Sequence, residues 1–522
     1  MRIAPRMAAA AALLLALNAG PGAAAAFDLS TATVADINAA FDAGTLTSEH
    51  LVQLYLARIA SYDRSGPQLN SVLTLNPRAL EEARSLDAER RTRGPRSPLH
   101  GVAVLVKDVF DTKDMPTTGG FEPLARSQPA RDAYVIEKLR KAGAIILGKL
   151  NLADWYGVAS GSGSSLGGPV RSPFDLERYP GASSSGSGVA AAAWLATVTL
   201  GSDTGGSLMI PGALNGVVSL APTRGLVSRR GMMWNSPRQE KAGPMTRWVR
   251  DAAAVLDVIV GFDAGDLSTS DGLGHLPPRP YASFADPAGL RGARIGVLRE
   301  MVRAGPLHEQ GLPLFEREVA AIRRAGAVVI DPVRTGLDLP AQQDAASSAG
   351  YEQGIAADAY LETLPPGAPV RSLVQMVEKA GDAVDPYLRA ALPLKPIDRD
   401  PRFLAALRQQ DVLRAALVAL MDRYALDALV LPYRTVQTPR VGEDLGGPAR
   451  REARNGLHAY TGLPALLVPG GLFPDGMPFS MEFIARPFDE PTLIRVGSGY
   501  EAATRHYIPP PLTPALPGER FP

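Results

Sequence analysis

Apolar side chains at Leu51, Leu54, Tyr55, Ile59 and Tyr62 recur at the spacing of one helical face. Thr47 stands where a helix N-cap belongs, so this stretch is predicted to be a helix. The pattern then changes. Residues 102–106 form a continuous apolar run after Gly101, as a strand buried on both faces does, and Lys107 sits at its end. Asp132 is placed to cap a helix that continues to Lys141, Gly143 ends it, and residues 144–147 read as the next strand. Residues 251–260 predict a helix stopped by Gly261, and residues 263–280 carry the Gly, Asp, Ser and Pro of a loop. A mostly helical stretch covers about 310–425, and residues 426–431 read as another buried strand. Strand–helix–strand order predicts an α/β fold: a large mixed, mostly parallel twisted sheet covered by helices on both faces. No internal repeat or long linker divides the chain, so one large domain over residues 27–508 is expected, followed by a Pro-rich tail at 509–522.

Residues 1–26 have a different character. Arg2 and Arg6 precede eleven unbroken apolar residues, 7–17; Asn18, Gly20, Pro21 and Gly22 break the run, and small alanines follow. This is the layout of a secretory signal, and the run is shorter than the roughly 20 residues that span a bilayer. Arg2 and Arg6 are not adjacent, so no twin-arginine route is indicated. A bacterial periplasmic or secreted protein with no membrane anchor after signal removal is the expectation.

Composition narrows the chemistry. Hydrophobic residues make up 46% and charged residues 20%, which supports a sizeable core. Lys plus Arg number 54 against 53 Asp plus Glu, so the broad basic surface of a nucleic-acid binder is not expected. The absence of cysteine removes disulfides, thiolate metal sites and a cysteine nucleophile. No two of the six histidines stand at metal-ligand spacing, and the glycine-rich segments lack a P-loop ending. Neither a metal nor an organic cofactor is therefore expected.

The densest signal is Gly181-Ala182-Ser183-Ser184-Ser185-Gly186-Ser187-Gly188, followed by Gly201-Ser202-Asp203-Thr204-Gly205-Gly206-Ser207, with an apolar stretch between. Glycine lets the backbone approach a ligand, and consecutive amides over residues 204–207 can converge on one point as an oxyanion hole requires. A serine nucleophile needs a base. Neither loop contains histidine, and Lys107, ending an apolar strand, is the other candidate because desolvation favours its neutral form. Gly163-Ser164-Ser165-Leu166-Gly167 matches a nucleophile-elbow pattern, but no strand precedes it and no helix follows.

These loops, their spacing of 24 residues from Ser183 to Ser207, and the upstream Lys107-Asp108 resemble the amidase signature hydrolases. The likeness extends through Gly148-Lys149-Leu150-Asn151, Gly243-Pro244-Met245-Thr246-Arg247 and Gly462-Leu463-Pro464, covering roughly residues 30–505. The N-terminal part, with Tyr62-Asp63-Arg64-Ser65-Gly66, is similar to the bacterial peptide amidases of that family. The resemblance implies Ser207 as acylating nucleophile, Ser183 after a cis peptide as proton bridge, and Lys107 as general base. It implies an oxyanion hole of Thr204, Gly205 and Gly206 with the Ser207 amide, and Ser184 and Asp203 as supporting groups. The implied substrate is a small-molecule or peptide amide. Two positions depart from the signature: Met209 where arginine is usual, and Ala191 where a larger apolar residue is usual. Two rival readings share the same sequence: a non-catalytic small-molecule-binding protein on the same fold, and the glutamine-hydrolysing component of an amidotransferase. The acyl and amine groups of the substrate and the oligomeric state are not legible at this level.

Overall fold

The structure is a computed structural model that describes residues 27–156, 161–381, 384, 386–443 and 455–521. The expected export signal at 1–26 lies outside these residues. Among the described residues thirteen strands run in chain order: β1 (Phe27–Asp28), β2 (Val72–Leu75), β3 (Ala103–Lys107), β4 (Ile145–Leu150), β5 (Val198–Asp203), β6 (Val218–Ala221), β7 (Lys241–Thr246), β8 (Arg294–Leu298), β9 (Val328–Val333), β10 (Ala428–Pro432), β11 (Ala465–Leu472), β12 (Pro478–Ile484) and β13 (Arg520–Phe521). Eleven of them form one sheet in the order β2-β4-β3-β5-β7-β6-β11-β12-β10-β8-β9.

Every residue of β3, β4, β5, β6, β7, β10 and β12 is buried. Since successive side chains point to opposite faces, both faces of the sheet are covered. The edge strands β2 and β9 are partly exposed along most of their length, whereas β8 and β11 each have a single half-buried end residue. The α/β class and the mixed, doubly covered sheet are as expected, but the balance of pairings differs. Only β3–β4, β3–β5, β8–β10 and β8–β9 are parallel; the other six neighbours are antiparallel. The strand–helix–strand units account for β3–β4 and β8–β9, whereas the middle of the sheet pairs β6 with β7 and β11 with β12 antiparallel.

The first predicted helix runs Ser48–Arg58, with the Thr47 side chain accepting from the His50 amide and Leu51, Leu54 and Tyr55 buried. The helix Tyr134–Lys141 starts after Ala133, not Asp132. Asp132 instead accepts from the Lys113 amide at 2.9 Å and pairs with Arg140 at 3.3 Å, so its carboxylate is engaged away from the helix end. The stretch 310–425 is mostly helical, but β9 interrupts it on the sheet edge.

The segment after residue 508 is docked. The helix Ser48–Arg58 ends on a fully buried guanidinium that lies over the Trp194 ring at 3.8 Å and pairs with Glu519 at 2.9 Å. The same guanidinium donates to the Ala193 and Thr513 carbonyls. Beside it β1 pairs antiparallel with β13, Phe27 opposite Phe521. No helix among the described residues is long and apolar enough to cross a membrane.

Candidate active site

Parallel pairing sets the C-terminal ends of β3 and β5 side by side, with Val106 opposite Leu200. That register places Lys107 against the end of β5. Its Nζ donates to Ser202 Oγ at 2.9 Å and to Ser183 Oγ at 2.8 Å. Lys107 and Ser202 are fully buried and Ser183 nearly so. Burial pulls the Lys107 pKa from 10.5 down to about 7, against the opposing pull of Glu240 and Asp203. The next residue, Asp108, forms a buried ion pair with Lys149 of β4 at 2.8 Å and accepts from the Thr118 amide, which anchors the chain beyond Lys107.

Ser183 stands just before the helix Ser185–Ala192. The Ala182–Ser183 peptide is cis, and the Ser183 carbonyl accepts from the Ala153 amide at 3.1 Å. The helix lies hard against its neighbours. A Cβ on Gly186 would come within 2.4 Å of the Asn151 carbonyl oxygen, so only glycine allows this approach. Ser184 Oγ accepts from the Ser202 amide at 3.2 Å and donates to the Ser202 carbonyl at 3.0 Å, tying the first loop to β5.

Asp203 ends β5 and organises the second loop. One carboxylate oxygen takes the Gly206 amide at 2.7 Å and the other takes the Leu208 amide at 2.9 Å, so the two residues flanking Ser207 are fixed. Burial opposes the Asp203 charge, but the His458 imidazole and these amides prevail and hold its pKa well below the usual carboxylate range. The Thr204 hydroxyl donates to Glu240 Oε2 at 2.6 Å, and the Thr204 carbonyl accepts from Gln239 Nε2 at 2.8 Å. In a trans peptide the carbonyl and the following amide point in opposite directions, so anchoring this carbonyl aims the Gly205 amide. Gly206 has φ +109°, and a Cβ there would sit 2.9 Å from the Tyr433 hydroxyl.

The amides of Thr204, Gly205 and Ser207 make no hydrogen bond with any described residue. The Gly206 amide, expected in the oxyanion set, is occupied by Asp203. The structure thus divides the expected group: three amides remain available, and the fourth braces the turn. Ser207 itself is half-buried in that turn. Met209 is fully buried in an apolar cluster. The alternative serine motif is not a strand-to-helix elbow: Ser164 bridges to Gly168, and the Ser165 amide donates to the Asp154 carboxylate.

Sequence reasoning missed Ser202, Glu240, His458 and Glu482. Ser202 lies inside the second motif, and its only signal was its place at the end of a buried strand. Glu240 is fully enclosed, and burial raises its pKa to about 7 against the hydrogen bond from Thr204 and the charge of Lys107. A charge inside a mostly apolar strand was the available cue for Glu482 on β12.

The sequence matches the amidase family over residues 50–494. It is 33% identical over 509 residues to a probable amidase of Arabidopsis thaliana, spanning 93% of this chain and 92% of that protein. It is also 33% identical to a component of the glutamyl-tRNA(Gln) amidotransferase of Chloroflexus aggregans, over 91% of this chain and 97% of that one. Among solved structures, the native peptide amidase from Stenotrophomonas maltophilia superposes with a TM-score of 0.80 at 37% identity, covering 92% of this chain and 98% of its own. The family match covers most of the chain and the relatives are matched nearly end to end, so the chain belongs to the amidase family.

Proposed function

We propose that the protein hydrolyses a carboxamide C–N bond through an acyl-enzyme, with Ser207 as nucleophile, Ser183 as proton bridge and Lys107 as base. The observation that carries this reading is the 2.8 Å contact between Lys107 Nζ and Ser183 Oγ, at a lysine whose pKa burial has brought to about 7. Neutral Lys107 accepts the Ser183 hydroxyl proton while Ser183 accepts the proton of Ser207. The Ser207 oxygen attacks the carbonyl carbon of R–CO–NH₂ or R–CO–NHR′. The amides of Thr204, Gly205 and Ser207 face the developing oxyanion. The proton returns through Ser183 to the leaving nitrogen, ammonia or amine departs, and water attacks the ester to release the acid and restore Ser207.

Likeness to a peptide amidase at 37% identity supports C-terminally amidated peptides as the substrate class. The layout of residues 1–26 supports export, and it weighs against the amidotransferase reading that the 33% identity to the Chloroflexus aggregans protein favours. Ammonia release should be measured with amidated peptides, fatty amides and glutamine, and amine release with aryl amides. Turnover of amidated peptides is expected. Turnover of glutamine alone would move the assignment to the amidotransferase reading, and no turnover of any amide would overturn the proposal.

A further inference from the structure

Position 209, where the signature usually carries arginine, is Met209, so no cation from that position can balance Asp203. Asp203 is nevertheless a fully buried carboxylate that fixes the amides on both sides of Ser207. A buried charge needs a partner. One approaches from 255 residues away in sequence: His458, in the helix Leu457–Thr461, places Nε2 at 3.3 Å from Asp203 Oδ2. Its other ring nitrogen, Nδ1, lies 2.7 Å from Glu482 Oε1 on β12. All three side chains are fully buried.

A neutral imidazole has one N–H. With a carboxylate at each nitrogen, one ring lone pair would face an anion in a water-free interior. The Nδ1–Glu482 contact is a close charge pair without hydrogen-bond alignment, and only the doubly protonated ring removes the repulsion at both nitrogens. The geometry points to His458 as an imidazolium at neutral pH between Asp203 and Glu482: a positioning residue that charge-balances Asp203 and thereby fixes the Ser207 turn in place of an arginine at 209. The inference rests on the reading of Ser207 as nucleophile.

The other groups facing this cluster agree with that assignment. Lys241 on β7 donates to the His458 and Leu463 carbonyls, and burial pulls its pKa to about 7, so above neutral pH it is mostly uncharged. Asn455 Nδ2 donates to Glu482 Oε2, leaving Oε1 to the imidazole. Lys107 and Glu240 lie on the active-site side of Asp203, and Arg224, Arg414 and Glu490 act on Lys241 from beyond it. Burial alone opposes the imidazolium, but Glu482 and Asp203 outweigh it and raise the His458 pKa to about 9.

Histidine-selective ¹⁵N NMR of the full chain at pH 8 tests the charge directly. One ring with both nitrogens protonated is expected, assigned by its loss in His458→Gln and titrating near pH 9. A neutral His458 ring at pH 8 would overturn the inference whatever the enzyme's activity. In kinetics the wild type is expected to lose kcat above pH 9 as His458 deprotonates; His458→Gln should lower kcat at neutral pH at least tenfold with KM within threefold, and should show no such alkaline limb. Wild-type kcat with the alkaline limb retained would equally overturn it. Should His458→Gln not fold, Glu482→Gln serves: the His458 pKa is expected to drop by at least one unit, and an unchanged value counts against the pairing. If the wild type hydrolyses no amide, the nucleophile reading fails while the NMR still reports the ring charge.

Discussion

Replacing Lys107 with methionine keeps most of the side-chain volume and removes the amine. With an ordinary lysine pKa near 10.5, about one molecule in 3,000 carries a neutral amine at pH 7. With the pKa lowered to about 7, about half do, so burial multiplies the working base on the order of a thousandfold. Protonation of this amine must therefore shape the acid side of the pH profile. Below about pH 6, kcat/KM should fall tenfold per unit, leaving about 1% of the plateau at pH 5. The assay is ammonia release between pH 5 and 9 under kcat/KM conditions. Lys107→Met should lose at least a thousandfold in kcat/KM and should lose the acid limb with it. Glu240→Gln supplies a second reading with a fixed sign. The Glu240 charge raises the Lys107 pKa, so removing it should move the limb to lower pH, while the amide still accepts from Thr204. An acid limb that persists at the same midpoint in Lys107→Met, or one that moves upward in Glu240→Gln, would refute the assignment of the base.

Ser207→Ala should form no acyl-enzyme by intact-mass analysis, and combining it with Ser183→Ala should cost far less than the product of the single losses, since the groups act as a unit; wild-type turnover in Ser207→Ala would exclude it as nucleophile. Glu519→Gln leaves the Arg58 guanidinium buried without its counter-charge and should destabilise the fold by about 3–5 kcal/mol in urea unfolding; a loss below about 1 kcal/mol would mean that this pair does not hold the C-terminal segment. N-terminal sequencing of exported protein should begin near Phe27, and an intact Met1 on mature protein would remove the signal reading.

The parts of the fold legible in the sequence were those specified locally. β3 was visible because its apolar run is uninterrupted, and the helix Ser48–Arg58 because cap and stripe agree. Asp132 misled because a capping-type residue beside a helix can be claimed by tertiary partners, here Lys113 and Arg140. β9 escaped notice because its short apolar run, residues 327–330, is cut by Asp331 and Pro332 and lies on a partly exposed edge inside an otherwise helical stretch. The antiparallel centre of the sheet was not legible because strand order is a property of distant pairings such as Ala221 with Ala465. In the site, Lys107 and the two glycine–serine loops stood out by composition. Glu240, His458 and Glu482 did not, because each is an isolated polar residue whose meaning comes from a partner on another strand or loop.

The docking of Glu519 on Arg58 has a consequence for when this protein can fold. The partners are 461 residues apart, so at a synthesis rate of about 5–20 residues per second Arg58 is made roughly 25–90 s before Glu519. Throughout that interval the seat beside Trp194 would have to enclose a guanidinium with no counter-charge. The helix Ser48–Arg58 therefore cannot settle permanently against Ala193, and β1 has no β13 to pair with. Completion of this corner of the core waits until the segment carrying Glu519 and β13 has been made.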